Sequence, residues 1–126
     1  MLRFQPKEGS VIYCDYSGFI EPEMIKNRPA IVIHKHRYNS RLLLIVPIST
    51  TEPKPILSHH IEIEQAFCQI NLNGLRSWVK CDMVNTVSLD RLNLVRDKSS
   101  GLRHAPNIGH AFLLKIKEAV KKSHNL

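Results

Sequence analysis

The sequence predicts a mainly β (α+β) domain, a small barrel-like antiparallel sheet with one C-terminal helix. Two apolar runs, AIVIH (Ala30 to His34) and LLLIVPI (Leu42 to Ile48), are joined by the short polar turn HRYNSR, the pattern of a hairpin. HHIEIE (His59 to Glu64) alternates polar and apolar residues, as a half-exposed strand does. From Pro106 onward, Ile108, Phe112, Ile116 and Val120 recur every four residues with Leu113 on the same face, and the lysines fall largely opposite. That spacing predicts an amphipathic helix of about four turns packed on the sheet.

The remaining elements follow in order. SVIYCDY (Ser10 to Tyr16) is β-branched and apolar enough for a first strand, reached through Gly9. SGFIEPEMIKN (Ser17 to Asn27) holds a glycine, an early proline and no clean periodicity, and reads as a mobile loop. Pro29 has no N–H for a ladder, which suits the start of a strand. STTEPKPILS (Ser49 to Ser58) is a loop stiffened by Pro53 and Pro55, and Asn73-Gly74 marks a turn within Gln65 to Leu75. SWVKCDMVNTV (Ser77 to Val87) reads as one or two strands, SLDRL as a single helical turn capped by Ser88, and NLVRDKSSGL as a strand tail or loop. The 126 residues fit a single domain, 1–126.

Aromatic residues are only 6% of the chain, so the core must be mostly aliphatic. The formal charge of +7 favours anionic partners, chiefly nucleic acid, or else a membrane surface or an acidic protein. The basic residues are spread along the chain, so a merely solvated surface explains them equally well. Cys14, Cys68 and Cys81 are odd in number and form no C-x-x-C, which points to reduced thiols in a cytoplasmic protein. MLRFQPKEGS carries no apolar signal-peptide core, and no apolar run approaches the length of a bilayer span. A membrane partner is therefore not expected.

The order and spacing of several pieces resemble the MazF/PemK family of bacterial toxins, endoribonucleases of type II toxin–antitoxin modules. The pieces are GSVIYCDY, Glu23 five residues before the Arg28-Pro29 pair, RPAIVI, VPIST and VKCDMVNTV. The likeness runs from Gly9 to about Val95. It implies an SH3-like barrel of the CcdB/PemK type, a homodimer, and metal-independent cleavage of single-stranded RNA with no cofactor. It also implies a MazE/PemI-like antitoxin partner, with DNA reached only through the antitoxin complex. Carried over by position, Arg28 and Ser49 are active-site groups, with Thr50 beside Ser49, and Glu23 matches the acidic residue of the first loop. A later strand carries an arginine and an aspartate two positions apart in the PemK branch. Here that pair reads Lys80-Cys81-Asp82, and the PemK loop histidine falls at Pro22. A mechanism that uses that histidine is out of reach.

The same residues suit the chemistry on their own terms. Metal-free RNA cleavage uses the 2′-OH as nucleophile and leaves a cyclic phosphate and a free 5′-hydroxyl. It needs a base, a cation for the phosphorane charge and a donor for the leaving oxygen. Arg28 offers a planar fork to phosphate oxygens, and Ser49 and Thr50 offer hydroxyl donors. Glu23 or Asp82 can act as base, and Lys80 holds phosphate as a point charge. An antiparallel hairpin brings Arg28, at the start of one strand, close to Ser49, at the end of the next. Taken singly, each has a plainer reading: a surface arginine, turn hydroxyls bonding their own backbone, an aspartate paired with Lys80.

Trp78 and Tyr38 can stack on bases, although a tryptophan on such a strand is more often core. Cys14 and Cys81 read as small core residues rather than nucleophiles. Among the histidines, His59 and His60 are expected on opposite faces of a strand, with no carboxylate at ligand spacing, so no metal site is expected. Two other readings remain. One is a binding module of the same fold that holds RNA or protein without cutting. The other is a toxin that poisons DNA gyrase through its C-terminal residues, for which Ser123-His124-Asn125-Leu126 gives no sign.

Overall fold

The apolar runs of the central hairpin are continuous because both of its faces are buried. β2 (Arg28–Lys35) pairs antiparallel with β3 (Leu42–Ser49), in a register that sets Ala30 against Pro47, with a bulge between Val32 and His34. Ile31, Ile33, Val46 and Ile48 enter one core, while Ala30, Val32, Leu43 and Ile45 enter another. This computed structural model describes residues 2–63, 76–96 and 101–126.

β1 (Val11–Cys14) lies along β2, and its residues alternate in the same way, with Val11 in the first core and Ile12 and Cys14 in the second. Beyond β3 the chain adds β4 (His60–Glu62), β5 (Trp78–Lys80) and β6 (Asn85–Ser88). β5 pairs with the last two residues of β3, and β6 pairs with its first four. A 3-10 turn, Leu89–Arg91, leads from β6 into β7 (Leu92–Asn93), which pairs with β1. The strand path β7-β1-β2-β3-β6 is thereby closed through the turn, wrapping a small barrel around the second core. Ser88 caps the turn by accepting a hydrogen bond from the Asp90 N–H at 3.1 Å, as its sequence predicts. The expected one-or-two-strand segment is two strands. The expected tail yields β8 (Val95–Arg96), which forms a small ladder with β9 (Arg103–His104). The Asn73-Gly74 turn and Cys68 lie outside the described residues.

The first core is covered by α1 (His110–Ser123), which buries Phe112, Leu113, Ile116 and Ala119. The helix begins four residues later than its apolar spacing predicts. Pro106 to Ile108 are drawn alongside β1 instead: Val11 N–H donates to the Pro106 carbonyl at 2.7 Å, and Ile108 N–H donates to the Gly9 carbonyl at 3.0 Å. Gly9 has φ +87°, and a Cβ there would sit 2.8 Å from Asn107 Oδ1, so this close approach needs glycine. At the far end, Ser123 Oγ donates within reach of the Cys81 carbonyl at 3.2 Å and the Val120 carbonyl at 2.9 Å.

Glu8 ties the helix to the sheet. Its carboxylate lies 3.1 Å from Lys117 Nζ and 3.5 Å from His34 Nδ1, and it accepts from the Lys35 N–H at 3.4 Å. Burial raises its pKa, but Lys117, the Lys35 N–H and His34 together outweigh burial and hold it below the ordinary glutamate value. A depressed carboxylate stabilises the fold above its unfolded pKa and loses that contribution as pH falls through its folded one. Glu8→Gln is thus expected to cost less than about 1 kcal/mol of stability near neutral pH after solvent screening, seen as a lower melting temperature. The wild-type advantage should vanish in acid. Melts of both proteins across that range check it, and an advantage that grew in acid would overturn it.

Tyr16 is fully buried in the second core, and its hydroxyl has no well-formed hydrogen bond among the described residues. The Cys14 thiol neighbours it, but sulfur is a weak acceptor. Burial drives the tyrosine pKa upward and pushes the Cys14 thiol up to about 12. Tyr16→Phe is accordingly expected to be neutral or stabilising by up to about 1 kcal/mol, because it removes a desolvated, unpaired hydroxyl. A clear drop in the melting temperature would show that the hydroxyl is satisfied.

Candidate active site

The β2–β3 ladder ends with Ala30 against Pro47, and Arg28 and Ser49 lie two residues beyond it on their strands, at the open end of the hairpin. The sequence-level expectation for this pair therefore holds in the backbone. Ser49 is also the cross-strand partner of Trp78 on β5, and β5 ends at Lys80, one residue short of a turn that carries Asp82. Ser49 thus meets the first residue of β5, and Lys80 at its other end stands within electrostatic reach of Arg28 and Asp82. Thr50 follows at the end of β3, half-buried.

Arg28 Nε is buried and has no hydrogen-bond partner among the described residues. An orphaned guanidinium nitrogen costs stability, and it is poised to bond an incoming acceptor. Lys80 has its pKa lowered first by burial and further by Arg28, while Asp82 opposes the shift. Two cations sharing one half-buried corner leave a positive field that suits an oxyanion. A groove of about 390 Å³ opens beside them, lined by Glu21 to Lys26, Arg28 and Met83. Glu23 lies in this groove, on the surface. Its Oε1 accepts from the Ile20 N–H at 2.9 Å, so one carboxylate oxygen shapes its own loop. Arg91 secures the start of that loop by donating to the carbonyls of Asp15 and Ser17 at 2.9 and 2.7 Å, with its guanidinium over Phe19.

Ser49 is 3% exposed, and its Oγ accepts from the Thr51 N–H at 3.1 Å. The hydroxyl proton remains to donate, so a turn role and a phosphate contact coexist. Trp78 corrects an expectation. It is 3% exposed, with Arg76 stacked 5.1 Å over its ring, and so serves as core instead of a base-stacking platform. Tyr38 is exposed, but it sits in the β2–β3 turn, away from Arg28 and Ser49. Burial pushes the Cys81 thiol up to about 12, so it is no nucleophile.

The histidine expectation also needs correction. His59 lies in a turn and not in the strand, so it and His60 do not diverge. Their rings are 4.2 Å apart, and His59 Nε2 lies 3.6 Å from Asp82 Oδ2. One ligand-type atom from each of His59, His60 and Asp82 falls within 4.8 Å of the others. That count fits a divalent metal, but the surroundings do not. His60 Nδ1 accepts from the Leu57 N–H at 3.0 Å, which leaves the ring proton of neutral His60 on Nε2. Lys80, paired across the ladder with His60, adds a positive charge. The alternation of HHIEIE hides this cluster, because it predicts a strand from its first residue. The closing hydrogen bond from His60 N–H to the Leu57 carbonyl, 3.0 Å, makes it a turn.

The architecture is a small β-barrel covered by one helix, with Arg28 and Lys80 near the open end of its central hairpin. The chain matches, over residues 7–124, the family model described as PemK-like, MazF-like toxin of type II toxin–antitoxin system. It belongs to that family. An uncharacterized Escherichia coli K12 protein, YifN, is 31% identical over 144 aligned positions, covering 98% of this chain and 95% of its own. Among solved structures, MazF from Deinococcus radiodurans superposes with a TM-score of 0.68 at 15% identity, covering 98% and 99% of the two chains. A mycobacterial endoribonuclease in complex with its cognate antitoxin superposes at 0.63 and 17% identity, with 96% of each chain covered. These superpositions show the shared fold. Among the described residues, no helix is long and apolar enough to cross a membrane.

Proposed function

We propose that this toxin-family protein is an endoribonuclease that cuts single-stranded RNA without a metal or other cofactor, through attack of the 2′-OH on the adjacent phosphate. The observation that carries this reading is the buried, unpartnered Arg28 Nε beside Lys80, at the mouth of a groove bounded by Glu23 and by the turn that follows β5. Arg28 and Lys80 would balance the charge that builds on the phosphorane oxygens, and the Ser49 and Thr50 hydroxyls would donate to them. The proton of the 2′-OH would pass to the acidic side of the corner, where Asp82 and Glu23 stand. Products would be a 2′,3′-cyclic phosphate and a 5′-hydroxyl.

Growth inhibition in the cytoplasm by cutting messenger RNA, a homodimeric state and control by an acidic MazE/PemI-like antitoxin belong to the same reading. A basic chain of +7 suits an acidic, partly disordered partner segment that covers the groove. DNA would be met only through the complex with that antitoxin.

The test is incubation of the purified protein with a long single-stranded RNA in the presence of EDTA, with the new ends mapped. Discrete cuts ending in cyclic phosphate support the proposal and deliver the recognised word. Cuts that depend on added metal would overturn the metal-free mechanism. Intact RNA with retained binding would point to a non-catalytic module of the same fold.

A further inference from the structure

Metal-free cleavage calls for a group that accepts a proton near neutrality, and ionised carboxylates are weak at this. The turn Leu57 to His60 supplies another candidate. Its two hydrogen bonds, His60 N–H to the Leu57 carbonyl and Leu57 N–H to His60 Nδ1, both 3.0 Å, fix the orientation of the His60 ring. They also set the two imidazoles side by side at 4.2 Å. His60 backs onto Lys80 through the β4–β5 ladder, and Lys80 adjoins Arg28, so the histidines flank the cationic corner.

The two rings are not equivalent. His60 keeps its Nδ1 lone pair engaged with the Leu57 N–H, and taking up a second proton would break that bond. Burial, then the neighbouring His59, holds its pKa below the ordinary histidine value. His60 is thus the uncharged member of the pair. His59 faces a carboxylate: its Nε2 is 3.6 Å from Asp82 Oδ2, within ion-pair range, and its side chain is partly open to solvent. With the Nε2 proton turned toward Asp82, the free lone pair stands on Nδ1. Among the described residues, His60 on β4 and Asp82 in the turn beyond β5 face His59, and Lys80 on β5 faces His60.

We infer that His59 is the proton acceptor of the active site and that Asp82 is its positioning residue, while His60 stays neutral beside it. This rests on the RNA-cleaving reading above and moves the base from the carboxylate to the imidazole it holds. In the step, the His59 lone pair takes the 2′-OH proton as the 2′-oxygen bonds to phosphorus and the bond from phosphorus to the 5′-oxygen breaks. The departing 5′-oxygen takes a proton from water, and the imidazolium returns its own to the hydroxide so formed. Asp82 faces the charge that His59 carries in between, as a carboxylate orients an imidazole in other acid–base pairs.

The experiment is single-turnover cleavage of one mapped RNA site across pH, with RNA affinity measured in parallel, for wild type, His59→Ala, His59→Gln and Asp82→Asn. We expect His59→Ala to slow cleavage by about a hundredfold or more with affinity retained, and added imidazole to restore part of the rate. The pH profile of the wild-type rate should carry an acidic limb that His59→Ala lacks, and Asp82→Asn should displace that limb without removing it. His59→Gln keeps the bulk of the side chain if alanine loosens the turn: slow cleavage with RNA bound supports the inference. Near-wild-type cleavage by either His59 variant would overturn it while leaving the ribonuclease reading intact. If wild type itself leaves RNA uncut, the ribonuclease reading fails, and the inference with it.

Discussion

Replacing Arg28 with alanine is expected to slow RNA cleavage by about a thousandfold, the scale of losing a preorganised donor to a developing oxyanion. The effect should fall on the chemical step, with RNA still bound through the remaining basic surface. Stability should move the other way. Arg28 Nε is buried without a partner in the free protein, so the wild type carries the cost of an unsatisfied donor. A melting temperature equal to or above wild type, beside a lost activity, is the expected pair of results. This is the trade between function and stability that active sites show when their donors wait for a ligand. Cleavage by Arg28→Ala at close to the wild-type rate would remove Arg28 from the site. A strongly destabilised variant would mean that the guanidinium is a structural anchor instead.

Ile116→Ala is expected to destabilise the fold by about 2–5 kcal/mol. Ile116 is fully buried at the middle of α1, against the face of the sheet that carries Ile31, Ile33, Val46 and Ile48. Alanine would leave a cavity that a rigid sheet closes poorly. Leu114, on the exposed side of the same helix, makes the comparison: Leu114→Ala should cost about half a kilocalorie per mole or less. Denaturant unfolding of both variants checks this, and equal losses would mean that the helix does not pack as described.

Much of the fold was legible in the sequence because burial leaves a periodic trace. The central hairpin was readable from two apolar runs, and the helix from its four-residue spacing. The helix start was not, since Pro106, Asn107 and Ile108 are drawn against Val11, Ser10 and Gly9, which lie about a hundred residues away in the chain. The ladder of β8 and β9 was invisible for a related reason: each strand is two residues long, too short for any alternation to register. Of the candidate site, Arg28 and Ser49 were picked out by the family resemblance, and their placement at one end of the hairpin followed from strand antiparallelism. Trp78 did not, because a lone aromatic on a strand reads the same whether it faces the core or a ligand. His59 was hidden by a single hydrogen bond, which turns the chain one residue before the strand begins.

The helix also sets an order in time. Both faces of the Arg28–Ser49 hairpin need covering, and one of the covers is α1, made after every strand of the sheet. A growing chain on the ribosome leaves Ile31, Ile33, Val46 and Ile48 facing water until the helix emerges, and domains settle only once their units are out. The corner of charges that the proposed cleavage needs therefore takes shape only after the chain has been made through to the helix.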